Sequence, residues 1–182
     1  MVNERPTDGS AGHRQPTLVL FCGPPGSGKT TLAKALETQG RGLRLCTDDW
    51  QESLGIDHND DDFHDRLQTR LYRHALDFLN AGQDVILEDG LWLRREREEE
   101  LADARRQGAR TELHVFDLTI DQLWARLERG NSQSPPGAVP VARDELEHIC
   151  ALFEHPDAAE LAMFDAYEIH RADSNLAGDS PT

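Results

Sequence analysis

Basic residues are scarce. The chain of 182 residues carries 19 Lys and Arg against 34 Asp and Glu, a net charge of −15 and a pI of about 4.8. So acidic a chain repels nucleic acid and anionic membrane unless a local basic groove overrides the field, which leans toward a small-molecule partner. Cysteine is scarce too, and odd in number: Cys22, Cys46 and Cys150. Their spacing shows neither a metal site nor a disulfide framework, so buried free thiols in a reducing cytoplasm are expected. No apolar run reaches the length of a membrane span, and the opening residues hold no apolar stretch of the signal-peptide kind. Internal repeats are absent, and the length suits one domain with a sizeable core.

What the chain does have is residues 17–36, TLVLFCGPPGSGKTTLAKAL. Leu18 to Cys22 is a short apolar run that reads as a buried strand. Gly23-Pro24-Pro25-Gly26-Ser27-Gly28-Lys29-Thr30 follows, and then a helix with Leu32, Ala33 and Leu36 on one face, closing near Gly40 and Gly42. This is the phosphate-binding pattern G-x-x-x-x-G-K-[ST] between a strand and a helix. Glycines let the backbone curl so that successive N–H groups point at one anion, and the helix N-terminus adds positive potential there. Lys29 would reach the β- and γ-phosphates, and the Thr30 hydroxyl would hold Mg²⁺. The loop residues, with Thr31 behind them, are the expected ATP cradle.

Residues 1–16 are polar and rich in Gly and Pro, and read as a disordered leader. A second strand is expected at Leu43–Cys46, running into Thr47-Asp48-Asp49-Trp50. Carboxylates just past a strand's C-terminal end lie where open α/β sheets bind ligands. Asp48 or Asp49 is placed to take a proton from an attacking hydroxyl, or to hold Mg²⁺ through water. The acidic stretch 55–62 lacks EF-hand spacing and reads as a solvated cap. Apolar residues at helical spacing (Phe63, Leu67, Leu71, Ala75, Phe78) predict a helix over 62–80, with His64 and His74 as solvent or interface histidines.

Residues 84–90 (DVILEDG) predict a third strand with acids at its exit, a degenerate Walker B. Asp89 is chosen over Glu88 as the Mg²⁺ or substrate ligand, because Gly90 lets the chain approach. Trp92 either walls an acceptor pocket or fills the core. The helix from Arg94 to Gln107 reads mostly as a solvated, salt-bridged face, with one early arginine free to meet an anionic substrate. A fourth strand is expected at Thr111–Leu118, then an amphipathic helix on Ile120, Leu123, Trp124 and Leu127. Arg126 and Arg129, three apart, share a face of that helix. The Pro-rich stretch 130–140 reads as a mobile lid, about 130–143 in all. An arginine pair opening onto it suits closure over ATP, with Arg143 as a third candidate. A helix over 144–153, a last strand at Tyr167–His170 and a flexible tail over 172–182 complete the chain, so 17–171 forms one domain.

Strands alternating with helices after a phosphate loop imply a parallel sheet with helices on both faces. On these features the chain resembles the small P-loop kinases of the AAA_33 type, near chloramphenicol phosphotransferase, zeta toxins and polynucleotide kinase. The shared features are Gly23 to Thr30, Asp48-Asp49, Asp89-Gly90 before an arginine-rich helix, Arg126-x-x-Arg129, and Phe153-Glu-His-Pro-Asp-x-x-Glu160. The resemblance implies a five-stranded parallel sheet in the order 2-3-1-4-5. It also implies transfer of the ATP γ-phosphate to a hydroxyl, with Asp48 as general base, Arg126 or Arg129 as the lid arginine, and Arg129 as a further nucleotide-binding residue. Thr30, Asp48 and Asp89 would be the metal-side residues. Asp48, Asp49, Trp50, Asp89 and Trp92 would face the acceptor. Polynucleotide kinases carry an arginine three residues after the base; here that residue is Gln51, which with the net charge makes a nucleic-acid acceptor less favoured than a small molecule. An ATP-binding switch without an acceptor is the reading from another class.

Overall fold

From Leu18 to Cys22 the strand β1 (Thr17–Cys22) is fully buried, with no side chain on solvent. A strand that reads as a continuous apolar run must be covered on both faces, and that requirement builds the molecule. The computed structural model describes residues 14–133 and 141–172. Among these are β1, β2 (Leu43–Leu45), β3 (Val85–Leu87), β4 (Arg110–Phe116) and β5 (Ala166–His170), all parallel, in the order β2-β3-β1-β4-β5. The expected sheet and strand order are therefore found. Leu18 lies between Val85 and Thr111, which sets the register of the central three strands.

Alternate residues of β1 serve opposite layers. Val19 and Phe21 meet Ala33 and Leu36 of α1 (Lys29–Thr38), together with Ile86 and Phe116. Leu18, Leu20 and Cys22 meet Leu71, Ala75 and Leu79 of α3 (Asp61–Asn80) and Leu101 and Ala104 of α4 (Arg94–Arg106). Each fully buried Leu of this kind stabilises the fold by roughly 1.5–3 kcal/mol. The remaining helices are α2 (Thr47–Ser53), α5 (Ile120–Gln133), α6 (Arg143–Leu152) and α7 (Ala158–Leu161). Asp60 caps α3 by accepting from the Phe63 N–H, and Asp157 caps α7 by accepting from the Glu160 N–H.

Two expectations shift. Thr47 to Ser53 is a helix where the sequence shows a mostly polar stretch past a strand, and its first turn carries Asp48 and Asp49. Carboxylates suit a helix N-terminus, so the same residues that suggest a ligand site also start a helix. The expected loop from Gly130 begins as helix, because α5 runs on to Gln133. Half of the expected lid (134–140) and nearly all of the expected leader and tail lie outside the described residues. Among those described, no helix is long and apolar enough to cross a membrane.

Candidate active site

The loop between β1 and α1 curls on two left-handed glycines, Gly26 at φ 73° and Gly28 at φ 107°. Side chains are excluded at Gly26 for a second reason. A Cβ there would sit 2.7 Å from Leu127 Cγ and 3.3 Å from the Leu123 carbonyl, so the loop lies directly on α5. Gly23 donates its N–H to the Gly90 carbonyl at 3.1 Å, which ties the loop to the exit of β3. Lys29 folds over the loop and donates to the carbonyls of Gly23 and Pro24 at 2.8 and 2.9 Å. Burial pushes its ammonium down to about 8, against the opposing pull of Glu88 and Asp48. Ser27 Oγ is buried without a hydrogen-bond partner. Arg126 donates to the Ser27 carbonyl at 2.8 Å, so its guanidinium lies over the loop.

Where β2 and β3 end, the predicted acids separate. Asp48 lines the cavity in front of the loop, and its Oδ1 lies 3.9 Å from His64 Nδ1. His64 also bonds the buried Gln51 at 3.0 Å, so it belongs to this cavity wall rather than to open solvent. Asp89 is 8% exposed and its carboxyl is pushed up to about 6, chiefly by burial. Thr47 Oγ1 lies 3.5 Å from Asp89 Oδ1. Asp49 is drawn elsewhere. Arg44 donates to it at 2.6 Å and to Glu88 at 2.6 Å, a clamp that holds the Asp49 carboxyl below its usual range. Asp49 and the half-exposed Trp50 are not among the walls of the cavity, because α2 turns them away from Asp48.

The arginine-rich helix corrects the sequence reading most. Arg97 is fully buried. Its Nε donates to Glu160 Oε1 at 2.5 Å, and its other nitrogens donate to the carbonyls of Leu91, Trp92 and Glu154. Leu91 holds a positive φ of 26°, and the Arg97 bonds fix this strained turn just past β3. Gly90 is then a packing requirement: a Cβ there would lie 2.6 Å from Trp92 Nε1. One turn along, Glu100 is 9% exposed, and its Oε2 has no hydrogen-bond partner. Burial first, then Asp89, Glu96 and Glu99, pushes its carboxyl well above the ordinary range. Arg97, Glu100, Leu101 and Ala104 sit at i, i+3, i+4 and i+7 and form the buried face of α4. The apolar pair Leu101 and Ala104 was the signal: stepping back one turn reaches Arg97 and Glu100.

These groups share one cavity of about 1260 Å³. Its nucleotide end is Pro25 to Thr31 with Arg126; its far end is built from α3 with Tyr72, the turn past β3 with Trp92, and α4 with Glu96, Glu99, Glu100 and Asp103. Tyr72 donates to Asp103 at 2.6 Å. Of the predicted residues, Lys29, Thr30, Thr31, Asp48, Asp89, Trp92 and Arg126 come together here; Gly23 and Pro24 join through their bonds to Lys29. Arg129 does not line it: it is exposed and donates to the Ala125 carbonyl of its own helix. Arg143 is held by Asp121 at 2.9 Å and Glu147 at 3.1 Å.

The cradle fits a phosphate chain. It offers curled glycines, a helix N-terminus, an unpartnered Ser27 hydroxyl and two cations, Lys29 and Arg126. Thr30 and Asp89 beside it supply the hard oxygen donors that Mg²⁺ requires. The other metal-ligand cluster, His114, Glu168 and His170 on the β4–β5 edge, lines no part of this cavity.

The fold recurs in solved structures. A provisionally named kinase of Chloroflexus aurantiacus aligns at TM-score 0.68 and 22% identity, covering 87% of this chain and 89% of that one. A component of the Pnkp1/Rnl/Hen1 RNA repair complex aligns at 0.65 and 22%, covering 78% and 45%. A gluconokinase of Sinorhizobium meliloti 1021 aligns at 0.59 and 17%, covering 90% and 87%. At such identities the likeness is one of fold, a kinase-like P-loop fold. No curated protein matches the chain in sequence. Residues 18–156, most of the chain and its entire intact phosphate loop, match the family described as AAA domain: the chain belongs to the AAA_33 family.

Proposed function

We propose that the protein moves the γ-phosphate of ATP to a hydroxyl of a small molecule, with Asp48 as general base. The observation that carries this reading is the shared cavity. Asp48 lines the same space as Lys29, Thr30, Asp89 and Arg126, with room beyond them for an acceptor. The gluconokinase among the solved structures phosphorylates a small hydroxyl compound, as its name says, on the same scaffold.

Loop amides, Lys29 and Arg126 bind the phosphates and oppose their charge, which is where phosphoryl transfer gains most of its rate. Thr30 and Asp89 would hold Mg²⁺, with Asp48 assisting through water; the ion when bound neutralises phosphate oxygens. Asp48 orients the acceptor hydroxyl and takes its proton as the new P–O bond forms. The bond from the γ-phosphorus to the bridging oxygen breaks, and ADP leaves.

The test is transfer of label from [γ-³²P]ATP with Mg²⁺ to pooled hydroxyl compounds and, separately, to a 5′-hydroxyl oligonucleotide. Label in a small molecule, lost in Asp48→Ala, supports the reading. An Asp48→Ala enzyme as fast as wild type removes Asp48 as base. Label in the oligonucleotide instead moves the function to nucleic-acid repair, the field of one of the solved relatives. Three arginines of α4 are drawn into the protein's own contacts: Arg94 with Glu98 and Asp157, Arg105 with the Met163 carbonyl, Arg106 with Asp103.

A further inference from the structure

The far end of the cavity is charged in a way that narrows the acceptor. From α3 it receives Asp61 and Asp65, and from α4 Glu96, Glu99, Glu100 and Asp103. The lysine and arginine among the walls are Lys29 and Arg126, and both are bonded to carbonyls of the phosphate loop at the opposite end. Some of the acids have local duties. Glu96 accepts from the Leu93 N–H, and Asp103 accepts from Tyr72 and pairs with Arg106. Glu100 has none. Its Oε2 is buried, lacks a donor and belongs to a side chain set in the cavity wall.

A second buried group points the same way. Trp92 Nε1, also in the wall, has no acceptor. So the wall holds one buried orphan acceptor that carries negative charge when ionised and one buried orphan donor. Buried polar groups are satisfied in native proteins, and orphans gathered in one cavity mark what its ligand supplies. A carboxylate wants a charged donor; an indole N–H wants a hydroxyl or ether oxygen. A bare metal ion answers poorly. Three ligand atoms within 4.8 Å of one another occur, among the described residues, only at His114, Glu168 and His170, so these acids do not converge as a metal cage does.

We propose that the acceptor is a hydroxyl compound bearing a protonated amine, an amino sugar, aminocyclitol or amino alcohol, whose ammonium docks on Glu100 while Trp92 Nε1 donates to one of its oxygens. This deepens the phosphotransferase reading and rests on it for the transfer step. The amine is not consumed; it anchors the molecule so that a hydroxyl on the same scaffold meets Asp48.

The test uses matched compounds differing only at nitrogen: amino sugars, aminocyclitols and amino alcohols, each beside its N-acetyl form. Transfer from ATP and direct binding by calorimetry are measured with wild type, Glu100→Gln and Glu100→Asp. The expected result is a kcat/KM at least about tenfold higher for the free amine, the range of one charge-assisted hydrogen bond. Glu100→Gln should abolish that preference mainly through KM, and Glu100→Asp should restore part of it. Transfer to N-acetyl or uncharged compounds with equal or better kcat/KM overturns the ammonium inference and leaves the kinase standing. Glu100-dependent binding of amines with no transfer to any of them sinks the kinase reading and keeps the ammonium site. No binding of any amine at millimolar concentration, or a preference intact in Glu100→Gln, overturns the inference.

Discussion

Arg97 and Glu160 are paired inside the protein: Nε meets Oε1 at 2.5 Å, with the side chains 0% and 1% exposed. Removing one partner strands the other's charge in a site that cannot hydrate it. Glu160→Ala should therefore cost about 3–5 kcal/mol in urea unfolding, far more than an exposed pair such as Arg143 with Glu147. The double change Arg97→Met with Glu160→Leu should recover much of that loss. If Glu160→Ala unfolds at the wild-type urea midpoint, the pair is not a structural tie.

Arg126 and Arg129 share a helix but differ in position. Arg126 lies over the phosphate loop, and Arg129 folds back on its own backbone. Arg126→Ala should lower kcat by roughly 10²–10³, the usual loss of one well-placed charge on a transferring phosphoryl group, while Arg129→Ala stays within a few-fold. Steady-state rates for the two variants decide it. The reverse order would transfer the role to Arg129.

Lys29→Ala should act as strongly as the loss of Arg126, by several kcal/mol in transition-state stabilisation. Lys29 also bridges two loop carbonyls, so ADP affinity should be measured beside the rate. An unchanged kcat/KM for ATP would remove Lys29 from the phosphate site.

Gly90→Ala tests the turn past β3. The new methyl group would meet Trp92 Nε1 at 2.6 Å, so the indole has to move. Overpacking of this kind costs roughly 1–3 kcal/mol. The acceptor KM should rise more than the KM for ATP, and the tryptophan emission should shift. Equal changes in both KM values would argue against Trp92 as part of the acceptor wall.

Glu100 gives a pH signature. Its folded carboxyl titrates well above the ordinary value of 4.5, driven up by burial and by Asp89, Glu96 and Glu99; Tyr72 also faces it. Below that ordinary value the group is protonated in both states and costs nothing. As pH rises, the unfolded chain releases the proton first, so stability falls until the folded group titrates. Glu100→Gln should thus raise the melting temperature at pH 7 and leave it nearly unchanged near pH 4. A gain of equal size at both pH values would mean that ionisation is not the cause.

The phosphate loop was legible because its chemistry is local: glycine spacing, the lysine and the flanking strand and helix are all within a few residues. The strand order followed from the resemblance, and the structure agrees. Asp48 and Asp89 were legible from their places past two strands. Asp49 was not separable from Asp48, because only the turn of α2 and the distant Arg44 divide them. Arg97 and Glu100 were misread as solvated, since a helix this charged hides its buried side. That side depends on what packs against it, here Glu160 from 63 residues further along. Beyond the loop the cavity is walled by α3, the turn past β3 and α4, and α2 takes Asp49 and Trp50 out of it.

The two ends of the cavity are built from different parts of the chain. The phosphate loop, α1 and α5 form one; α3 and α4 form the other. Substitutions at Asp61, Asp65, Glu99 and Asp103 therefore change the α3–α4 end, the proposed acceptor surface, without touching the phosphate loop. Such a division lets one scaffold acquire new substrates by drift on two helix faces, and it marks those four positions as the place for an engineered library.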